Sequence, residues 1–195
     1  MPESLRRTLE KHRPEMELGL KAQSLGTSGS AKDRSQLEVD LRRRVLAIDD
    51  LLRSKPKFGE MAREMGGAAR LIIYLNLPEG ESLSSPQLDF VLRYIYKYSP
   101  NFPLVVYDDP GQGIGTMEDF LHSLCRRRIQ LSKLLQEAYP QGMVISSLEA
   151  YDFHSAVFGV SSLVYSHCIN DIARLWLSTW KAANGDMAGR PILNE

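Results

Sequence analysis

A histidine and an aspartate stand four residues apart near the end of the chain, at His167 and Asp171. On a helix this spacing places both side chains on one face, one turn apart. An imidazole and a carboxylate in that arrangement can bind one metal ion, so the pair predicts a metal site. The same spacing also arises from a hydrogen bond between the two side chains, or from two solvated groups that never meet.

Further polar side chains accompany this pair. Arg174 and Ser178 continue the stripe along a segment that is otherwise apolar, so the stripe either meets water or lines an internal site. His154 stands in the N-terminal part of the same predicted helix. The sequence holds no serine-hydrolase elbow, no phosphate loop and no C-x-x-C motif. It therefore assigns no catalytic residue, and it offers no sequence-specific nucleic-acid motif.

Composition narrows the class of protein. A chain of 195 residues with 43% hydrophobic residues can form one domain with its own core. Lys plus Arg equals Asp plus Glu at 24 each, so no overall charge draws it to nucleic acid or an anionic membrane. Arginines cluster at positions 42–44 and 126–128. Three consecutive residues fan around a helix, which is typical of a solvated face rather than a phosphate site.

The cysteines and the hydropathy give an expectation for the cellular compartment of the protein. Cys125 and Cys168 are too few for a disulfide framework, so we expect buried free thiols, with a disulfide between them as the alternative. No stretch approaches the ~20 apolar residues of a transmembrane helix. As written, the chain is expected in the cytoplasm. If an export signal precedes Met1, an exported or periplasmic location is expected instead.

Apolar residues recur at steps of three and four along most of the chain, which predicts amphipathic helices rather than strands. Small residues near 24–34 predict a flexible linker, and prolines and glycines near 99–115 predict a loop. We expect one all-α domain over residues 1–195, a bundle of about six helices. The predicted helices are one near the start with a break or kink at Pro14, then 35–53, 58–76, one capped by Ser84 and Ser85 that ends before Pro100, 116–139, and one from Ser147 to Asn184.

Two of these segments resemble helices of a known family. Residues 58–76 carry the small-residue run Gly66–Ala69, which lets another backbone approach closely, and Pro78 follows shortly after. This segment resembles the helix of the zinc-dependent phospholipase C and single-strand-specific nuclease superfamily in which such a run precedes H-x-x-x-D. The last helix, with His167 and Asp171 before a Leu-Trp segment, resembles the closing helix of bacterial members.

The resemblance implies that superfamily's helical fold, zinc bound by His167 and Asp171, and hydrolysis of phosphodiesters. The chain departs from it at Arg70 and Tyr74, which stand where the family has its first His and Asp, and it has no Trp before Trp176. Of the metal-ligand pairs that the resemblance implies, this chain therefore keeps only the second, His167 and Asp171. A zinc ion is implied at a reduced site, or no cofactor at all.

Three functions follow as hypotheses. The first is a degenerate family member, non-catalytic or with a rebuilt site, that binds a phosphate-containing ligand, a lipid or a partner. Arg70, Tyr74, His154 and Arg174 would then line the binding site, because a guanidinium binds phosphate well. The second is an active metal-dependent phosphodiester hydrolase, and the third is an unrelated helical interaction module. The first two require the helices at 58–76 and 147–184 to lie side by side.

Overall fold

A computed structural model of the chain describes residues 3–22, 34–53, 58–77, 85–105, 113–139 and 152–182. Within these ranges there is no strand, which confirms the predicted all-α class. None of the described helices is long and apolar enough to span a bilayer. The seven α-helices of the described residues are α1 (Glu3–Lys11), α2 (Arg13–Ala22), α3 (Arg34–Arg53), α4 (Phe58–Asn76), α5 (Ser85–Tyr98), α6 (Met117–Ala138) and α7 (Ala156–Ala182), with a short 3-10 helix at Ser99–Asn101.

The helix predicted near the start of the chain is divided in two. His12 lies between α1 and α2, and its N–H still donates to the Thr8 carbonyl at 3.1 Å. Pro14 stands two residues later, in the first turn of α2, and a proline has no N–H to continue the ladder. The predicted break at Pro14 is therefore confirmed. The linker predicted near 24–34 lies almost entirely outside the described residues.

The start of α6 follows its sequence signal closely. Thr116 caps the helix, and its hydroxyl accepts from the Asp119 N–H at 3.1 Å while donating to the Asp119 carboxylate at 2.7 Å. A threonine followed three residues later by an acid is the capping-box pattern, here with Asp in place of the more usual Glu. At the other end, the Tyr139 N–H donates to the Leu135 carbonyl at 2.8 Å and closes the helix.

The start of α7 corrects the sequence prediction. Ser147 lies outside the described residues, and the segment 152–155 just before α7 is a turn and not helix. The cap is Ser155, whose hydroxyl accepts from the Phe158 N–H at 3.1 Å. The Asp152 carboxylate accepts from the His154 N–H at 2.9 Å and orders the turn. Two polar residues with cap chemistry stand ahead of this helix, and the later one is used.

The buried apolar side chains form two clusters, here called the first and the second core. The first core is formed by side chains of α1, α2, α3 and α4, together with the N-terminal half of α6 and the C-terminal half of α7. The second core joins α5 with the C-terminal half of α6 and the N-terminal half of α7. In the second core, the Phe102 ring lies between Phe158 and Tyr165, at centroid distances of 5.1 and 5.7 Å. The long helices α6 and α7 therefore run through both cores.

Glycines allow α2 and α4 to pack backbone against backbone. A Cβ on Gly66 would overlap the Met16 carbonyl, and a Cβ on Gly19 would overlap the Arg63 carbonyl. The sequence prediction that the Gly66–Ala69 run admits a close neighbour is confirmed, and the neighbour is α2. Gly67 makes room for a side chain, because a Cβ there would meet the guanidinium of Arg44 from α3.

Candidate functional site

Three polar side chains meet where α4, α6 and α7 come together. Asp171 on α7 and Asn76 on α4 are both fully buried, and the Arg127 side chain on α6 is 19% exposed. The Asn76 Nδ2 donates to Asp171 Oδ2 at 3.0 Å, and the Arg127 Nη2 donates to Asp171 Oδ1 at 2.5 Å. The carboxylate is thus shared by an amide and a guanidinium. We call Asn76, Arg127 and Asp171 the polar layer.

The polar layer separates the two apolar cores. In each of its three helices, the nearest core residues on one side belong to the first core and those on the other side to the second. These flanking residues are Leu75 in α4 and Leu77 just after it, Leu124 and Leu131 in α6, and Leu175 and Cys168 in α7. A polar contact in such a position fixes the relative register of the three helices, because any slip would bury a charge without its partner.

Burial raises the pKa values of two groups in or next to the polar layer, Asp171 and Cys168. Loss of water raises the pKa of the Asp171 carboxyl above its ordinary value, although Arg127, Asn76 and Arg174 act in the opposite direction. Burial, and then the charge of Asp171, also raise the pKa of the Cys168 thiol. Cys168 therefore remains a thiol at neutral pH and is not a reactive nucleophile. Both cysteines are free, so the predicted free thiols are confirmed.

Two atoms of the layer lack a hydrogen-bond partner in the described part of the chain. They are the Oδ1 of Asn76, whose Nδ2 also donates to the Ile72 carbonyl, and the Nε of Arg127. Each is shielded from water, so each costs about 1–3 kcal/mol of stability. The layer is therefore incompletely satisfied in hydrogen bonding at two buried atoms.

Arg70 and Tyr74 are engaged elsewhere, on the side of α4 that faces α2. The Arg70 guanidinium donates to the Leu20 carbonyl and lies over the Tyr74 ring, 5.7 Å from its centroid. The helices α4 and α7 do lie side by side, as expected. However, the guanidinium that reaches Asp171 is that of Arg127, and Arg70 instead ties α4 to α2.

The two histidines that were predicted to lie in the site, His154 and His167, are far apart. His167 is half-buried on α7, one turn before Asp171. His154 is exposed in the turn before α7, with its ring centroid 4.2 Å from that of Phe153. From the start of α7 to His167 the helix rises roughly 16 Å, so one ligand cannot contact both histidines unless it is long.

Four polar side chains of α7 hold the connection between α5 and α6. They stand at four-residue steps, each bonds backbone of that connection, and the last two are Arg174 and Ser178 of the predicted stripe. Ser166 accepts from the Val105 N–H at 3.1 Å, Asn170 donates to the Val105 carbonyl at 2.7 Å, Arg174 donates to the Gly113 carbonyl at 3.0 Å, and Ser178 accepts from the Ile114 N–H at 2.8 Å. Arg174 and Ser178, which were predicted to continue the stripe of His167 and Asp171, thus bond the protein's own backbone.

The arginines at 42–44 are likewise paired within the protein. Arg42 bonds Glu118 of α6, Arg43 lies 3.4 Å from Asp40 on its own helix, and Arg44 bonds Glu64 of α4 at 2.6 Å. The three side chains fan in three directions, as consecutive residues on a helix must. Arg42 and Arg44 hold α3 against α6 and α4, Arg43 pairs within α3, and the three guanidinium groups do not converge on a common anion.

The donors around Asp171 do not fit a zinc ion. A zinc site needs three or four converging ligands, and the described ranges contain no group of three or more His, Cys, Asp or Glu side chains so placed. Both oxygens of Asp171 already accept hydrogen bonds, one of them from a cation. Zinc at a site completed by residues outside these ranges stays a prediction.

Sequence reasoning missed Asn76 and Arg127, although each left a signal. Arg127 stands three residues after Leu124 and four before Leu131, which is a core position of α6. Asn76 follows a segment of α4 that is apolar on nearly every side. A charge or an amide on an apolar face must find a partner, and that partner cannot be named before the helices are packed.

Comparisons with protein-family models, with curated proteins and with solved structures find no significant match to the chain. The class of protein defined here is therefore an all-α bundle with two cores and a buried Asn–Arg–Asp layer between them.

Proposed function

We propose that this chain is a non-catalytic helical protein of the phospholipase C and nuclease type, which keeps the bundle and works by binding. One observation carries the proposal: the buried carboxylate of Asp171 is bonded to the guanidinium of Arg127. A guanidinium in contact with a carboxylate supplies the positive charge that a metal ion would bring, and it repels a second cation. The Asp171 member of the surviving ligand pair is thus satisfied within the protein.

The side-by-side packing of α4 and α7 supports the family part of the proposal, because these are the two helices that carry the resemblance. Among the predicted ligands, a protein partner is favoured over a phosphate group. The arginines offered for phosphate are already bonded, Arg70 to the Leu20 carbonyl and Arg174 to the Gly113 carbonyl. Breaking such contacts would offset much of the energy gained from an anion.

Zinc content and phosphodiester turnover test the proposal. After dialysis against zinc, we expect less than one bound zinc per chain, and hydrolysis of bis(p-nitrophenyl) phosphate at the rate of buffer alone. We expect His167→Ala and the control His122→Ala, on an exposed position of α6, to leave both readings unchanged. Stoichiometric zinc, with turnover that His167→Ala abolishes and His122→Ala retains, would establish the active hydrolase instead.

A further inference from the structure

The outer face of α6 carries exposed basic and apolar side chains on one line. Arg126, Ile129 and Lys133 follow each other at steps of three and four residues, which aligns them along the helix. Ile129 is 68% exposed, although an isoleucine is usually buried. No acidic residue stands between Asp119 and Glu137, so the charge of this line is positive. We call these three residues the basic stripe.

A groove of opposite character lies between the C-terminal half of α3 and the N-terminal half of α4. It has a volume of about 480 Å³ and is lined by Ala47, Asp50, Leu51, Glu60, Arg63 and Glu64. Three carboxylates face one guanidinium, and one carboxylate, that of Glu64, also bonds Arg44 at 2.6 Å. The apolar part of the lining is Ala47 and Leu51, and Leu51 packs against the first core. We call this the acidic groove.

One molecule cannot place its own stripe in its own groove. Arg127 is next to the basic stripe in the sequence, and both it and Asn76 bond Asp171. The stripe therefore lies at the height of Asn76, which is the C-terminal residue of α4. The groove lies level with Glu60 and Glu64, 12 to 16 residues earlier on the same helix. At 1.5 Å per residue this is a separation of roughly 18–24 Å. Contact between the two surfaces therefore requires two molecules.

We propose that the basic stripe of one copy docks in the acidic groove of a second copy. Ile129 covers Ala47 and Leu51, while Arg126 and Lys133 approach Asp50 and Glu60. The complementarity of charge carries the inference, and the exposed isoleucine favours a groove with an apolar floor over a nucleic acid, whose phosphates gain nothing from an aliphatic side chain. Because the two surfaces differ, the contact is heterologous and builds a ring or a chain of copies. It is independent of the metal chemistry discussed above.

Sedimentation measurements on the full chain test this contact. We expect the average mass to rise with protein concentration in low salt and to fall when salt is added, because salt screens exposed charges. The variants Arg126→Glu/Lys133→Glu and Asp50→Lys/Glu60→Lys should each associate at least about tenfold more weakly than the parent. An equimolar mixture of the two variants should associate again, because the reversed stripe then fits the reversed groove.

An apolar pair of variants provides a matched control. Ile129→Ser should weaken association, while Phe153→Ser, a change at another exposed apolar residue that is 59% exposed and lies in the turn before α7, should not. A mass independent of concentration, a mixture that stays monomeric, or equal effects of these two substitutions would overturn the proposal. The proposal would also be overturned if Arg126→Glu/Lys133→Glu lost binding to phosphatidylglycerol vesicles while its average mass in solution stayed that of the parent. The basic stripe would then serve a lipid surface.

Discussion

The Arg127 guanidinium and the Asp171 carboxylate join α6 to α7 at 2.5 Å, at a level along both helices between residues of the first core and residues of the second core. The two helices run antiparallel, since Ile114 just before α6 bonds Ser178, Arg127 bonds Asp171, and Tyr139 bonds Ser161 at 2.8 Å. Of these three polar contacts, the ion pair is the middle one. It is the one whose removal leaves a buried charge.

Loss of the guanidinium should destabilise the fold strongly. Arg127→Leu leaves the Asp171 carboxylate buried without a cation, which costs about 3–5 kcal/mol in the free energy of unfolding. Arg127→Leu/Asp171→Leu should recover most of that loss, because apolar side chains suit the surrounding cores. Urea unfolding measures both, with Arg126→Leu on the exposed face of α6 as the control, expected within about 0.5 kcal/mol of the parent. Equal effects of Arg126→Leu and Arg127→Leu would contradict the role of the layer.

The pH dependence of stability should report the buried carboxyl. Burial raises the pKa of Asp171 above its ordinary 3.8, so between these two values the folded chain binds more protons than the unfolded chain. The contribution of this group is full below pH 3.8 and is lost as the pH rises through the folded pKa. The free energy of unfolding of the parent should therefore fall relative to that of Asp171→Asn as the pH rises. A parallel pair of curves, or the opposite slope, would show that the pKa is not raised.

Gly113 should tolerate no side chain. Its φ of 76° is in the left-handed region, and a Cβ would lie 2.6 Å from the Ser178 hydroxyl that anchors the α5–α6 connection. Gly113→Ala is expected to destabilise the fold by about 1–3 kcal/mol, through backbone strain and the displaced hydroxyl. Gly159→Ala is the matched control, because Gly159 lies within α7 with open space around it, and helix propensity should raise stability there by about 0.5–1 kcal/mol. Thermal unfolding of the two variants should shift in opposite directions.

Gly66, like Gly113, should tolerate no side chain, but here the reason is the close packing of α2 on α4. An alanine there raises helix propensity by about 1 kcal/mol, but its Cβ overlaps the Met16 carbonyl and forces α2 away from α4. We expect a net loss of about 1–3 kcal/mol in the free energy of unfolding. Gly59→Ala, at a glycine of the same helix whose Cβ would lie 3.5 Å from the Glu15 side chain, should be neutral or stabilising. If Gly66→Ala unfolds no earlier than Gly59→Ala, the close packing of α2 on α4 is wrong.

The sequence by itself determined the helices, because their signals are local. Apolar spacing, Thr116 ahead of Asp119, and Pro14 within an otherwise helical segment each act within about one turn of chain. The choice of Ser155 over Ser147 as the cap of α7 escaped prediction, since both residues offer the same local chemistry. Local chemistry also marked Arg174 and Ser178 on α7 without revealing that they would bond the backbone between α5 and α6.

Tertiary structure alone decided which polar groups meet. His167 and Asp171 share a helix face by spacing, but the partners of Asp171 come from residues 95 and 44 positions away, Asn76 and Arg127. Arg70, which was predicted to line the binding site, instead bonds the Leu20 carbonyl of α2. The reason is that helical period fixes the face on which a side chain lies, whereas the rotation and level at which two helices pack depend on the sum of all their contacts.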